Sequence, residues 1–207
     1  MTRIRLHGAS YSVYTRIARL ILAECALSYD FIELDIFDKE NLPAGYLELH
    51  PFSKIPVLEQ GDVRLFETDA IAQYLVALAK QERFLPADPL TRARCLQLMR
   101  ILDNYAYPKL VWGIWVEDQE RGPLSAEAIA EARNVLRVLE SFDAGAYLSG
   151  HDLTLADIWA LPMITYLQMT PRGSVMLSEC SKLSRWFGTM GQRASVQATR
   201  FPAEHDT

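Results

Sequence analysis

A change in hydrophobic periodicity at residues 81–89 limits the folds open to this chain more than any other feature. Before that segment, short runs alternating at period two are interleaved with runs spaced by three and four; after it only the helical spacing recurs. The first part reads as strand 4–6, helix 13–27, strand 30–37, a short helix at 43–49, strand 55–59, strand 63–66 and helix 68–80. Gln60-Gly61-Asp62 is a hairpin turn signal, so the last two strands pair antiparallel. The first two, joined through a helix, are expected to run parallel by a right-handed crossover. The order β-α-β-α-β-β-α defines an α+β domain at 1–80. Residues 81–89, with two prolines, form the linker, and 90–207 read as an all-α bundle of about five helices. Its helices are expected at 89–118 with a bend or break near Pro108, at about 125–142 capped by Ser125, at 154–168, and at 177–193, with Gly122-Pro123 as a stop.

Composition removes several classes of function. The net charge is -5 and no Lys/Arg run occurs, which argues against nucleic acid and against a charged membrane surface. No stretch reaches the roughly 18 apolar residues of a membrane span, and the first ten residues do not read as a signal peptide. Cys25, Cys95 and Cys180 form neither a CxxC pair nor a metal-ligand spacing. They read as reduced, buried thiols of a cytoplasmic protein that binds no metal.

Two local constellations carry chemistry. In His50-Pro51-Phe52-Ser53-Lys54-Ile55-Pro56-Val57, a proline opens a strand and cannot donate a ladder hydrogen bond. A cis Ile55-Pro56 bond would turn the Ile55 N–H and C=O outward, toward an extended peptide; an ordinary edge-strand proline is the alternative. Glu67-Thr68-Asp69 stands where the fourth strand meets a helix. There Glu67 can pair with an ammonium, while Thr68 and the helix N-terminus welcome a carboxylate, a combination suited to an α-amino acid head group. A plain helix cap with an acid beside it is the alternative.

The pattern HPFSKIPVLE…RLFETDAI resembles the glutathione-site signature of glutathione transferases, N-P-x-G-x-[VI]-P followed by E-[ST]-x-A-I. The opening 6–16, with Ser12 four residues before Arg16, is similar to the L-Y-G-x-x-x-S-x-x-x-R start of the serine-type, bacterial-like cytosolic members. Thr154-Leu155-Ala156-Asp157 looks like the family's [ST]-x-x-D helix start, a capping-box variant read as structural. The resemblance spans the whole chain and implies a thioredoxin-like glutathione-binding domain followed by a helical domain. It implies that Ile55 pairs its backbone with the cysteinyl part of glutathione beside cis Pro56. Glu67 and Thr68 then hold the γ-glutamyl head, and Lys54 meets the glycine carboxylate. His50 stands where the signature has Asn, and Ser53 where it has Gly. His50 is read either as reaching glutathione or as a solvent-exposed turn residue. The family also implies a homodimer.

Glutathione's thiol, with a pKa near 8.5, needs about 2.7 kcal/mol in favour of the thiolate for a shift of about 2 units. One hydrogen bond to the charged sulfur contributes about 1.5–3 kcal/mol and a helix N-terminus about 0.3–1 kcal/mol. One hydroxyl is therefore nearly sufficient. Ser12 is the candidate, with Ser10 and Tyr11 as competitors and a plain N-cap as its structural alternative. Tyr11, Tyr14, Tyr105, Trp112 and Trp115 are candidates for an electrophile pocket that takes flat apolar substrates, with Tyr107, Met163 and Tyr166 behind them. Trp112 and Trp115, three apart, are expected to share a helix face. The function expected is conjugation of glutathione to apolar electrophiles. A glutathione-dependent isomerase and a non-catalytic glutathione-binding protein of the same fold are the alternatives.

Overall fold

A computed structural model describes residues 2–38, 42–120, 123–142 and 145–205. The chain forms two compact units, Met1–Gln81 with Ser195–Thr207, and Glu82–Ala194.

The first unit is built on a four-stranded sheet of order β2-β1-β3-β4. Its strands are β1 (Ile4–Gly8), β2 (Tyr29–Glu33), β3 (Val57–Gln60) and β4 (Val63–Leu65), and its helices α1 (Val13–Glu24), α2 (Tyr46–Leu49) and α3 (Thr68–Leu78). β1 pairs parallel with β2 (Leu6 opposite Phe31) and antiparallel with β3 (Leu6 opposite Leu58), and β3–β4 is the antiparallel hairpin. Side chains alternate between faces along a strand, so Leu58 and Val57 serve two different cores. Leu6, Leu58, Ile17, Ile21, Ile71 and Leu75 are fully buried, and α1 packs against α3. Val57 instead joins Leu34 and Tyr46 in a second cluster on the α2 side. β2 ends at Glu33, short of the expected 37, because Asp35 turns back to accept the Phe37 N–H at 2.8 Å.

The segment 195–205 belongs to this first unit, although the sequence reads it with the bundle. Glu204 and Phe201 tie it to α1: Arg16 Nη1 donates to Glu204 Oε1 at 2.5 Å, and its guanidinium lies 4.3 Å from the Phe201 ring centroid.

The second unit contains α4 (Pro89–Ile101), a π-helical run over Leu102–Val116, α5 (Glu117–Glu120), α6 (Ala126–Ser141), α7 (Leu155–Gln168), α8 (Pro171–Ser178) and α9 (Ser181–Gly191). No strand occurs in it among the described residues beyond one isolated bridge, Tyr147–Gly150. Around Pro108, where the sequence predicts a bend or break, the hydrogen bonding changes: Pro108 supplies no N–H, and the ladder widens to the i→i+5 pattern. That pattern brings residues five apart together. Tyr107 and Trp112 meet edge to face at 6.4 Å, while Trp115 packs on Tyr166 of α7 at 5.1 Å. The two tryptophans therefore do not share a face. The single helix expected over 177–193 is two, broken at Glu179-Cys180, where the Cys180 N–H turns back to Leu177 O. Gly122, part of the expected stop, lies outside the described residues.

Candidate functional site

Three chain segments reach the same end of the first unit's sheet. β1 runs out at Gly8 toward α1; β3, antiparallel to it, begins at Val57 opposite His7; β4 runs out at Leu65 opposite Leu58. Ser12, the Ile55-Pro56 peptide and Glu67-Thr68 follow or precede those strand ends, so strand register alone gathers them.

Gly8 sets how closely α1 begins to β1. A Cβ there would lie 2.6 Å from Thr15 Cγ2, well inside van der Waals contact, so only glycine lets the first turn of α1 settle on the strand end. Ser12 is the N-cap of α1, with φ -77° and ψ 128°, and is half-buried. Its Oγ accepts the Thr15 N–H at 3.3 Å. An accepting hydroxyl keeps its own proton to donate elsewhere. No acid stands in the first turn of α1 to claim it. The competing groups have spent theirs. The Ser10 N–H and O–H both go to Glu33 Oε1, at 2.7 and 3.2 Å. The Tyr11 O–H donates to Asp35 Oδ1 at 2.5 Å, the leading cause holding the Asp35 carboxyl below its ordinary value. The Tyr11 ring stacks on Phe37 at 6.2 Å.

The Ile55-Pro56 bond is cis. Neither the N–H nor the C=O of Ile55 forms a backbone hydrogen bond among the described residues. The preceding carbonyl is anchored: the Tyr46 O–H donates to Lys54 O at 2.6 Å. Tyr46 is buried, and burial pushes its phenol up to about 12, so it stays a donor. Arg64 donates to the Glu48 carbonyl nearby. Tyr46 is a supporting residue that the pattern around Pro56 does not reveal, because its role lies in a contact between a short helix and a loop eight residues on. The Lys54 side chain is exposed.

The turn leading into this peptide explains both departures from the signature. Ser53 has φ 49°, the left-handed region, and this is the position at which the signature writes Gly. His50 is 3% exposed and does not project into solvent, contrary to the turn reading. Its Nδ1 accepts the Phe52 N–H at 3.2 Å, the bond an Asn side chain makes in such turns, and its ring lies 4.8 Å from Phe66. Burial lowers the His50 pKa, Glu67 opposes that shift, and Lys54 adds to it.

Glu67 stands at the N-cap of α3 with φ 66° and ψ 114°, a backbone conformation that costs a non-glycine residue. Its side chain caps nothing and is exposed. Thr68 is buried at the first turn of the helix. Residues held in such conformations cluster at ligand clamps and active sites.

The aromatic candidates fall in separate places. Tyr14 is half-buried on α1. Tyr105 and Trp112, on the π-helical run, are 58% and 44% exposed, while Trp115 is half-buried against Tyr166. Met163 and Tyr166 lie in the core along α7. Among the described residues no group of three His, Cys, Asp or Glu side chains could hold a metal, and no helix is long and apolar enough to cross a membrane.

The fold matches known proteins. Residues 6–83 match the family description "Glutathione S-transferase, N-terminal domain", and residues 104–194 match "Glutathione S-transferase, C-terminal domain". Glutathione S-transferase F4 of Arabidopsis thaliana is 30% identical over 203 residues, covering 91% of this chain and 81% of the relative. Glutathione S-transferase PARB of Nicotiana tabacum is 27% identical over 193 residues, covering 88% of this chain and 90% of the relative. In fold, the chain is similar to an epsilon-class glutathione S-transferase from the housefly Musca domestica, with a TM-score of 0.86, 24% identity and coverage of 99% of this chain and 94% of that one. It is also similar to glutathione transferase F7 from Populus trichocarpa, with a TM-score of 0.80, 24% identity and coverage of 95% and 97%. A thioredoxin-like first domain, a helical second part and matches to both halves lead to one conclusion: the chain belongs to the glutathione S-transferase family, whose members use glutathione as co-substrate.

Proposed function

We propose that this enzyme binds glutathione across the end of its β1-β3-β4 sheet and conjugates it to apolar electrophiles. In this reading Ile55 pairs its backbone with the cysteinyl part of the tripeptide. Glu67 and Thr68 receive the γ-glutamyl ammonium and carboxylate, and Lys54 the glycine carboxylate. The observation that carries the reading is the Ser12 hydroxyl, which accepts from Thr15 N–H and retains its own proton at the N-terminus of α1. Donation of that proton to the sulfur, with the helix N-terminus behind it, favours the thiolate by roughly 2–4 kcal/mol. The thiolate then forms a carbon–sulfur bond at the electrophilic carbon as the leaving group departs with the bonding pair. No general base beyond solvent is needed to take the thiol proton.

The residues of the first unit proposed to meet the electrophile are Tyr11 and Tyr14. The cytoplasm is the proposed location and a homodimer the proposed assembly; Phe52, 69% exposed at the tip of its turn, is the kind of apolar side chain a partner chain would cover.

The test is a titration of the thiolate absorbance of bound glutathione against pH, paired with turnover of a chloronitroarene. The wild type should show a bound thiol about 2 units more acidic than the free one. A bound thiol with unperturbed acidity in the wild type, or one unchanged by Ser12→Ala, removes Ser12 from the mechanism.

A further inference from the structure

The helix that presents Ser12 is held from behind by the segment 195–205, through three ties that share no residue. Arg16, one turn after Ser12, is completely buried, and its Nη1 donates to Glu204 Oε1 at 2.5 Å. The same carboxylate oxygen accepts the Phe201 N–H at 2.7 Å, and the Phe201 ring, itself fully buried, lies under the Arg16 guanidinium at 4.3 Å. Arg19 Nη2 donates to Ala198 O at 3.5 Å while its guanidinium lies 4.9 Å from the Phe31 ring. At the far end of the helix, Ser195 Oγ donates to Glu24 Oε1 at 2.5 Å. The ties are spaced along α1 at Arg16, Arg19 and Glu24, so they resist both sliding and tilting of the helix. The Arg16 N–H also bonds Ser12 O at 2.9 Å, joining the first tie to the residue that carries the hydroxyl.

We infer that Glu204 is a positioning residue for thiol activation: through Arg16 it fixes the axial position of α1, and hence the place of the Ser12 hydroxyl. This rests on the Ser12 reading above. The charge arrangement favours position over field. The buried Arg16 guanidinium is paired with the Glu204 carboxylate, so the pair as a whole contributes little net charge to the start of α1. A hydroxyl displaced by a fraction of an ångström loses much of its bond to the sulfur, and misplacement by about 1 Å can cost about a hundredfold in rate.

Glu204→Gln keeps the shape of the side chain and removes its charge. Four full-length proteins decide the matter: wild type, Ser12→Ala, Glu204→Gln and the double variant, each read by the pH titration of bound glutathione and by kcat and KM with a chloronitroarene. The expected result is an upward shift of the bound thiol pKa in Glu204→Gln and a roughly tenfold loss of kcat at neutral pH, with KM for glutathione little changed. Both effects should disappear in the Ser12→Ala background, because the carboxylate acts through that hydroxyl. If Glu204→Gln lowers the unfolding midpoint but leaves the thiol pKa where it was, the residue is structural only and the inference fails. A downward shift also overturns it, since that is what the Arg16 charge, relieved of the Glu204 carboxylate, would do through space. Should Ser12→Ala leave the thiol unshifted, the Ser12 reading itself fails, and with it this one. If Glu204→Gln does not fold, Phe201→Leu loosens the same tie without unpairing a charge and is read against the same outcomes.

Discussion

Two helix starts in this chain look alike on paper and differ in three dimensions. α1 and α7 are each capped by a hydroxyl residue, Ser12 and Thr154. At Thr154 every polar atom is answered from inside the protein. Asp157 Oδ2 accepts the Thr154 N–H at 2.9 Å and its O–H at 3.0 Å, while Oδ1 accepts the Leu148 N–H at 2.7 Å and Trp186 Nε1–H at 2.9 Å. Asp157 is completely buried, and one carboxylate thereby ties a loop, the start of α7 and α9 together. Ser12 accepts one hydrogen bond, sits half-buried, and has Thr15 where α7 has Asp157. The closed cap is part of the fold; the cap whose proton is still to be placed is the one proposed to meet a ligand.

The largest expected effect breaks the closed side of that contrast. Asp157→Ala removes the acceptor of four donors in a dry site; the Thr154 hydroxyl can turn to Ser149 Oγ, 2.6 Å away, and the other three are left without one. With each unsatisfied donor costing about 1–3 kcal/mol, the loss should reach about 3 kcal/mol or more, read as a lower urea midpoint. Glutathione affinity per folded molecule should not move. A fall in affinity of the still-folded fraction would mean the α7 cap is tied to the site after all.

Ser12→Ala tests the open side. As a cap, Ser12 is worth about 0.5–2 kcal/mol of stability. As a thiolate donor it is worth about 1.5–3 kcal/mol in the reaction, so kcat should fall by roughly ten- to a hundredfold while unfolding shifts modestly. A stability loss with full turnover would make the two caps equivalent and end the distinction.

What the sequence made legible follows the same division. Register and element order were readable because apolar spacing is local: 55–59 and 63–66 around Gly61 became the β3–β4 hairpin, and the Thr154–Asp157 cap was readable because its partners are three residues apart. What escaped were contacts closed across the chain. A separation of 188 positions between Arg16 and Glu204 hides the tie that moves 195–205 into the first unit. The burial of His50 depends on Phe66, and nothing in HPFSK signals it. The π-helical run around Pro108 also escaped, because a proline in a helical pattern announces disruption without saying which hydrogen bonds will replace those it removes.

A third substitution separates binding from folding at one residue. Glu67 holds φ 66° without capping α3. Glu67→Gly should leave stability unchanged or slightly higher, because a residue without a Cβ tolerates positive φ better, and should weaken glutathione binding by removing the carboxylate. Differential scanning calorimetry and a glutathione titration on the same preparation read both. If stability and affinity fall together, the strain argument is wrong and Glu67 belongs with the closed, structural residues.

The smallest effect concerns His50, a closed residue inside the open region. Burial holds its imidazole pKa below the ordinary 6.5, so the folded state resists a proton that the unfolded chain accepts. The sign follows from that difference: the contribution of His50 to stability is complete above about pH 6.5 and is lost as the pH falls through the lower folded value. Protonation also turns Nδ1 from an acceptor into a donor, which breaks its bond from the Phe52 N–H. His50→Asn keeps an acceptor for that N–H, does not titrate, and restores the residue written in the signature. The two proteins should therefore have nearly the same urea midpoint at about pH 7.5 and diverge by about pH 5.5, with the histidine form falling faster. Parallel curves across that range would show that the ring is not buried in solution. The turn that carries Lys54 and Ile55 would then be an open surface loop, and the boundary between closed and open residues would have to be drawn on the other side of His50.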